Sequence, residues 1–418
     1  MNPSPVVLPD DLIAELLSFL SVKYLLQFKC VSKSWKTLIS DSAFVKLHLK
    51  RSATQNPMFI LVTHHTKTIR KRPPYASHDT FEHDYSVVPY PICSLLNTTS
   101  FTVMEDPYYY VKNKGCSNVV GSCNGLILLA GHSFTRPDRE SWFRLWNPAT
   151  KTISKKFGYF CDFTNQPFGF VFGFDDSTST YKVVASRYIS DQLETEVKIL
   201  SFGDDVWRNI ESFPVAPLHL DYHEYNPSYG EYSRVYLSGA LNWLAIHDNI
   251  DHNSHFIKNI AVVCFVIVSL DLRTEMYKQY VVPYGFDEVP PTEPTIGVLG
   301  GCLCFSYSFK ETDFVIWQMK KFGVEDSWTQ FVKISYYNLQ IDYDYSDETT
   351  KYKFQLIPLL LLEDDDTIML RSTQEPQAIL YNWRDNRVKR IKVNVSRKRY
   401  YLLSDSVQDY VESLVPIY

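Results

Sequence analysis

The chain has 418 residues, of which 45% are hydrophobic and 21% charged, and its formal net charge is −5. This length allows one large domain beside a small one, and the composition is that of a globular protein, not a disordered one. The negative charge argues against general binding to nucleic acid, and the longest apolar run, residues 260–270, is too short for a membrane span of about 20 residues.

The first 51 residues have helical periodicity. Pro9 suits a first helical turn, where Asp10 and Asp11 complement the positive helix end. Three apolar sets predict three short helices: Leu12, Ile13, Leu16, Leu17 and Leu20; Val22, Leu25, Leu26, Phe28 and Val31; Trp35, Leu38, Ile39 and Phe44. So small a unit cannot bury all these side chains within itself. They therefore pack either on a partner protein or on the rest of the chain, and composition alone leaves both open.

Residues 8–49, LPDDLIAELLSFLSVKYLLQFKCVSKSWKTLISDSAFVKLHL, closely resemble an F-box. Ser21 stands where the family usually has Pro, and Gln27 and Lys29 where it usually has Arg. The resemblance implies that ten residues serve the Skp-adaptor interface or its supporting core: Leu8, Pro9, Ile13, Leu16, Leu17, Leu20, Leu25, Leu26, Val31 and Trp35. Residues 1–51 also carry seven Lys and Arg against four Asp and Glu. This small excess is either a solvated helix face or favours docking on an acidic partner.

After residue 51 the pattern changes to short alternating runs between turn signals, which predict β-strands. The clearest unit is 143–153, where an Asn147-Pro148 turn joins two strands that follow the Gly-bounded run 121–129. Similar hairpins are predicted at 197–210, 266–280, 314–334 and 378–393, and each follows an apolar strand. Trp146 and Tyr381, taken as corresponding positions, give a mean period of about 59 residues, somewhat above a kelch blade.

These units predict an all-β, kelch-like β-propeller over residues 52–418, behind a small all-α F-box over residues 1–51. Six blades are expected, with seven as the next choice and two open-faced β-sandwich domains as the competing architecture. A strand at 400–403 or 411–415 would close a blade begun near residues 58–62.

The β region, over nearly all of residues 57–393, resembles the plant F-box-associated interaction domain, which is related to kelch proteins. The segments that carry the resemblance are GSCNGLI (121–127), WNPAT (146–150), FGFD (172–175), YKVV (181–184), GALNW (239–243), LGGCLCF (299–305), VIW (315–317) and GVEDSW (323–328). Thr180 departs from the family, which often has Asp there, and 248–255 looks like an insertion. With the F-box, the resemblance implies a plant source and the role of an F-box/kelch or S-locus-F-box-like receptor.

Most of these family residues are expected to be structural. Tryptophans 146, 243, 317 and 328 should wedge between blades, while substrate contacts should come from loops on one propeller face. The candidate loops are 106–110, 222–232, 247–255 and 342–348. The cysteines, including Cys302 and Cys304, are expected to be reduced and structural in the cytosol or nucleus.

Phosphate-binding, nucleophile-elbow and metalloprotease motifs are missing from the sequence. His247, His252 and His255 share a loop but lack a recognisable ligand set, so we expect no metal and no other cofactor. The expected function is therefore a non-catalytic substrate receptor of a Skp–cullin–F-box ubiquitin ligase, which binds an adaptor, through it a cullin, and an unknown protein substrate. The alternatives are a non-degradative adaptor complex and a propeller enzyme acting on a small molecule.

Overall fold

The computed structural model describes residues 8–54, 59–71, 80–92, 100–102, 115–116, 118–135, 138–162, 168–189, 194–204, 206–218, 234–247, 261–290, 292–341, 355–362, 366–372, 378–394 and 407–417. The statements that follow concern these residues. They form a helical head followed by a region that is almost entirely β-structure.

The head contains four helices, not the three that the apolar pattern predicted. They are α1 (Asp10–Leu17), α2 (Val22–Phe28), α3 (Lys33–Ser40) and α4 (Ser42–Thr54). The third predicted helix is divided at Asp41, whose backbone is extended and whose Oδ1 accepts hydrogen bonds from the N–H groups of Ala43 and Phe44. An aspartate in this position satisfies the free donors of a helix start, so it ends one helix and caps the next.

The β region contains 26 strands within the described residues. Their bounds are β1 Phe59–Lys71, β2 Thr80–Pro91, β3 Ser100–Thr102, β4 Asn118–Cys123, β5 Leu126–Thr135, β6 Asp138–Asn147, β7 Thr152–Ile153, β8 Phe157–Asp162, β9 Gly169–Asp175, β10 Thr180–Ile189, β11 Glu194–Ser201, β12 Arg208–Asn209, β13 Ala216–Pro217, β14 Arg234–Leu237, β15 Ala240–Ile246, β16 Phe265–Asp271, β17 Tyr277–Val281, β18 Thr295–Leu299, β19 Cys302–Phe309, β20 Asp313–Met319, β21 Trp328–Ser335, β22 Leu356–Leu361, β23 Thr367–Ser372, β24 Ala378–Asn382, β25 Arg387–Asn394 and β26 Val407–Tyr410.

The strands form six sheets in the described part of the chain. Their strand orders are β2-β1-β26, β4-β5-β6-β7 with β8 on β6, β12-β11-β10-β9, β13-β15-β16-β17 with β14 on β15, β18-β19-β20-β21, and β22-β23-β24-β25-β3. Within each sheet the strands are antiparallel, except that β3 pairs in parallel with β25.

The six sheets are arranged around a closed circuit. One edge strand of each sheet contacts that of the next, in the order β26, β4, β9, β14, β18, β22 and back to β26. Hydrophobic clusters fill the spaces between neighbouring sheets. One of them joins Leu241 and Trp243 of β15 to Val184 and Ile199 of β10 and β11. These clusters bury the facing sides of neighbouring sheets against one another, as the propeller prediction requires.

The hairpins predicted from the sequence are confirmed, including β6–β7 at the Asn147-Pro148 turn and β20–β21. The turns between inner strands are tight. Asn124-Gly125 and Ser238-Gly239 join strands whose end residues are paired directly, and all four residues have positive φ. Two-residue turns of this kind match the twist of antiparallel strands and favour Asn and Gly.

The circuit is closed by a strand that the sequence did not identify correctly. β26 pairs with β1 through Phe59↔Tyr410 to Val62↔Val407, so the start of the blade near residues 58–62 was predicted correctly. Of the two predicted closing segments, 400–403 lies outside the described residues, and 411–415 is not a strand but runs back to the head. Within the described chain, every helix is too short or too polar to span a membrane.

Candidate protein-binding surface

The head exposes a set of large apolar side chains. The exposed fractions are 48% for Leu8, 51% for Leu12, 62% for Leu16, 60% for Phe19 and 67% for Val31. Leu12 and Leu16 are four residues apart in α1 and therefore share one helix face. Exposed apolar residues grouped in this way mark a surface that another molecule covers.

The opposite face of α1 belongs to a core that the head builds with the rest of the chain. Its buried members are Leu17, Val22, Leu25, Ile39, Phe44 and Leu414, and Ala149 packs against them. Trp35 meets Phe28 edge to face, with ring centroids 5.0 Å apart. Only part of the apolar excess of the head is therefore covered by its own chain, and the rest faces solvent.

The structure divides the ten predicted site residues into three groups. Leu8, Pro9, Leu16 and Val31 are exposed; Ile13, Leu20, Leu26 and Trp35 are half-buried; Leu17 and Leu25 are buried. The sequence-based prediction assigned these ten residues to the adaptor interface or its supporting core without separating the two. The structure contains both exposed and buried residues among them. Their contact with an adaptor stays a prediction.

Sequence reasoning missed Phe19 and Tyr24 as surface residues. Both are more than half exposed, and neither belongs to the apolar stripe that was used to find the helices. Their position off that stripe could have identified them as surface residues. A large aromatic side chain on the polar side of an amphipathic helical unit does not pack in the core of that unit.

Arg51 of α4 holds the end of α1 in place. Its guanidinium lies 4.0 Å from the centroid of the Phe19 ring and donates hydrogen bonds to the Glu15 carboxylate and to Ser18 Oγ. The cation–π contact positions the exposed aromatic ring, and the carboxylate bonds tie α4 to α1.

Two titratable groups show how the head is built. Burial and then the nearby Lys36 ammonium lower the pKa of Lys29 from its ordinary value, because both disfavour its charged form. His48 is buried and its Nε2–H donates to Leu20 O at 2.9 Å. Burial lowers the pKa of this imidazole, which is therefore neutral at pH 7.

In the β region, the four tryptophans predicted to wedge between blades lie in or against hydrophobic clusters. Trp146, Trp243 and Trp328 are buried, whereas Trp317 is half-buried, and Trp243 lies between two sheets. The described cysteines are free thiols, and burial raises the pKa of Cys304 to about 12, so this thiol is unreactive at neutral pH.

The predicted substrate loops 106–110, 222–232 and 342–348 lie outside the described residues, as do His252 and His255. His247, at the end of β15, is exposed. Within the part of the chain that is described, His, Cys, Asp and Glu side chains form no group of three suited to a metal ion.

A buried charge cluster joins the sheet of β9–β12 to the neighbouring sheet. Lys182 Nζ lies 3.0 Å from Asp175 Oδ2 and 3.4 Å from Glu275 Oε1, and Glu275 also accepts hydrogen bonds from Arg208. Burial alone would raise the pKa of Asp175, but hydrogen bonds from Ser177 and Lys182 hold it well below its ordinary value. Each charge of the cluster has an opposite charge within 3.4 Å, and the cluster fastens two sheets together, so it is structural.

Comparison with known proteins agrees with this architecture. Residues 7–47 match the F-box domain family, and residues 90–417 match the F-box associated beta propeller domain family. The chain belongs to this family of F-box proteins. Because neither match covers residues 48–89, the division after residue 51 stays a prediction.

Two relatives of this F-box protein are plant proteins. An F-box/kelch-repeat protein of Arabidopsis thaliana is 29% identical over 79% of the chain and 80% of its own length. The F-box protein CPR1 of the same plant is 25% identical over 77% of the chain and 72% of its own length. The chain is thus similar to both over more than three quarters of its length, and it is a plant F-box protein with a kelch-like interaction domain.

Proposed function

We propose that this F-box protein is the substrate-recognition subunit of a Skp–cullin–F-box ubiquitin ligase. The head binds a Skp adaptor and, through it, a cullin, while a propeller of six blades, one for each sheet, binds a protein substrate. The chain itself supplies no catalytic group and acts in the cytosol or nucleus. The observation that carries this proposal is the exposed apolar surface of the head in a chain whose F-box family match covers the same residues.

The head has the properties of a docking surface. Its exposed leucines and Phe19 lie on an element whose inner face is already packed, so a partner does not have to unfold it. The excess of Lys and Arg favours an acidic partner, since complementary charge speeds encounter and selects the orientation.

We further propose that the substrate binds on the propeller face remote from the head. The chain leaves β26 towards the head, and the Asn124-Gly125 turn lies beside the same segment, where a Cβ on Gly125 would stand 2.4 Å from Ser413 Oγ. Turns between the first and second strands therefore face the head. In an antiparallel blade the second and third strands are joined at the opposite end, as at β10–β11 and β15–β16. The head and the substrate then occupy opposite faces.

The mechanism that follows is proximity. A rigid receptor raises the local concentration of substrate lysines near a ubiquitin-loaded partner on the adaptor side. The rate of transfer then depends on how firmly the head and propeller are held together.

Co-purification of the full chain with a Skp adaptor tests the proposal. We expect Leu16→Lys to abolish the association, because a charge enters the apolar surface, while Tyr337→Lys, at an 88% exposed propeller residue, leaves it intact. Equal binding by both variants would refute the docking assignment. A reconstituted ubiquitin-transfer assay then separates a ligase receptor from a non-degradative adaptor complex.

A further inference from the structure

We propose that Asn147 and the segment 411–417, called here the tail, form a positioning clamp that fixes the head on the propeller. This inference rests on the proposed function, because the clamp sets the distance between the adaptor and the substrate. It names Asn147 as a positioning residue, which acts through the tail and touches neither partner.

The tail begins at the strand that closes the circuit. β26 pairs with β1 and contacts both β4 and β22, so its last residue, Tyr410, is held between the first and last sheets. The Tyr410 hydroxyl accepts a hydrogen bond from the Ala149 N–H at 3.3 Å. The tail therefore leaves the propeller from a fixed point.

Asn147 fastens the tail to the propeller. The side chain is fully buried, and its Nδ2 donates to Ser413 O at 3.0 Å and to Val415 O at 2.9 Å. Its Oδ1 accepts from the Thr150 N–H at 3.2 Å, which holds the turn after β6. Both amide protons of one side chain are thus used to bind two carbonyl groups of the tail, and an aspartate of the same shape would present an oxygen to them instead.

The space beside the tail is shaped to hold it. Gly125 has a φ of +75°, and a Cβ there would lie 2.4 Å from Ser413 Oγ and 2.6 Å from Val411 O. Val415 and Ile417 pack against the cluster between the β4–β8 and β9–β12 sheets. The tail is held by hydrogen bonds, close backbone approach and apolar packing together.

The other side of the tail enters the head. Leu414 is only 5% exposed and packs in the cluster that contains Leu17, Val22 and Leu25. Burial raises the pKa of Glu412, opposed by a hydrogen bond from the Val22 backbone at the start of α2. One short segment therefore touches the head core on one side and Asn147 on the other, and loosening Asn147 should free the head without changing its exposed surface.

The test uses the full chain, with Asn147→Asp compared against Asn382→Asp. Asn382 lies at the end of β24, the third strand of its sheet, as Asn147 lies at the end of β6. Its Oδ1 accepts from the N–H groups of Arg384 and Asp385, and its Nδ2 donates to Thr367, all in or beside its own sheet. The control therefore makes the same chemical change at the corresponding strand end, on a half-buried side chain away from the tail.

The first measurement is the distance distribution between spin labels on Cys30 of the head and Cys161 of the propeller, which are both exposed, with the remaining cysteines replaced by serine. We expect one narrow distribution for the unaltered chain and for Asn382→Asp, and a broad one for Asn147→Asp. An unchanged distribution in Asn147→Asp overturns the clamp. Should that variant fail to fold, a chain ending at Tyr410, which keeps β26 and lacks the tail, gives the same two outcomes.

The second measurement is made with a purified Skp adaptor and a reconstituted ligase, and it counts ubiquitin transfer to the propeller lysines of this chain only, because the lysines of the head move with the head. We expect Asn147→Asp to keep its affinity for the adaptor and to lose about tenfold in the rate of ubiquitin transfer, because a mobile head lowers the effective concentration of acceptor lysines. An unaltered rate also overturns the clamp. Failure of the unaltered chain to bind the adaptor refutes the proposed function instead, and the label distances still decide whether the clamp exists.

Discussion

Replacing Leu16 by alanine removes apolar surface from the head without opening its core. The side chain is 62% exposed in the free protein, whereas Leu17, the next residue in α1, is 6% exposed. The two leucines therefore form a matched pair in one helix. The same substitution to alanine tests partner binding at Leu16 and folding stability at Leu17.

The two substitutions are expected to change different quantities, the binding free energy for Leu16 and the free energy of unfolding for Leu17. Full burial of a leucine side chain contributes about 1.5–3 kcal/mol, so covering the exposed part of Leu16 contributes about 1–2 kcal/mol, or roughly 5–30-fold in Kd. Leu17→Ala should instead lower the free energy of unfolding by about 2–5 kcal/mol, because it leaves a cavity in a packed cluster.

Calorimetric titration of each variant with a purified Skp adaptor, paired with thermal unfolding of the free chain, separates the two effects. Leu16→Ala should weaken binding and leave Tm unchanged, and Leu17→Ala should lower Tm. The reasoning fails if Leu16→Ala binds like the unaltered chain, or if it lowers Tm as much as Leu17→Ala does.

Three further predictions concern stability. Asp175→Asn should cost about 3–5 kcal/mol in chemical denaturation, because it removes the nearest charge partner of the buried Lys182, and a cost below 1 kcal/mol would show that Glu275 alone neutralises the lysine. The pKa of His48 is lower in the folded than in the unfolded chain, so the head should be fully stable above pH 6.5, the ordinary imidazole value, and lose stability below it. NMR-monitored unfolding of His48→Phe should lack this slope, and a slope that persists would assign it to another group. Gly125→Ala should lower Tm for two reasons: φ is positive at this position, and the added Cβ displaces the tail. At Gly203 φ is also positive but the space beside it is open, so the change in Tm of Gly203→Ala measures the backbone strain alone.

The sequence predicted the hairpins well because their determinants are local. The Asn147-Pro148 turn and the alternating strands beside it lie within about a dozen residues, the scale on which turn chemistry and strand periodicity act. The F-box resemblance likewise depended on residues adjacent in the chain, but it named exposed and buried residues of the head together without separating them.

The features that were missed depend on position in the folded chain. Asp41 divides the third predicted helix, and the apolar pattern alone continues through it; the capping side chain was the available signal. The closing strand was placed on either side of its true position, since pairing with β1 is decided by distant residues. The second role of Asn147 was also invisible, because its tail partners are more than 260 positions away.

The pairing of β1 with β26 has a consequence for biosynthesis. At about 5–20 residues per second, a ribosome needs roughly 20–70 s to add the roughly 345 residues between Val62 and Val407. During that time the edge of β1 that later pairs with β26 stays unpaired and can pair with a wrong strand. Nascent chains of this protein should therefore depend on chaperones until β26 is synthesised. Only then can the tail that follows β26 pack against the head.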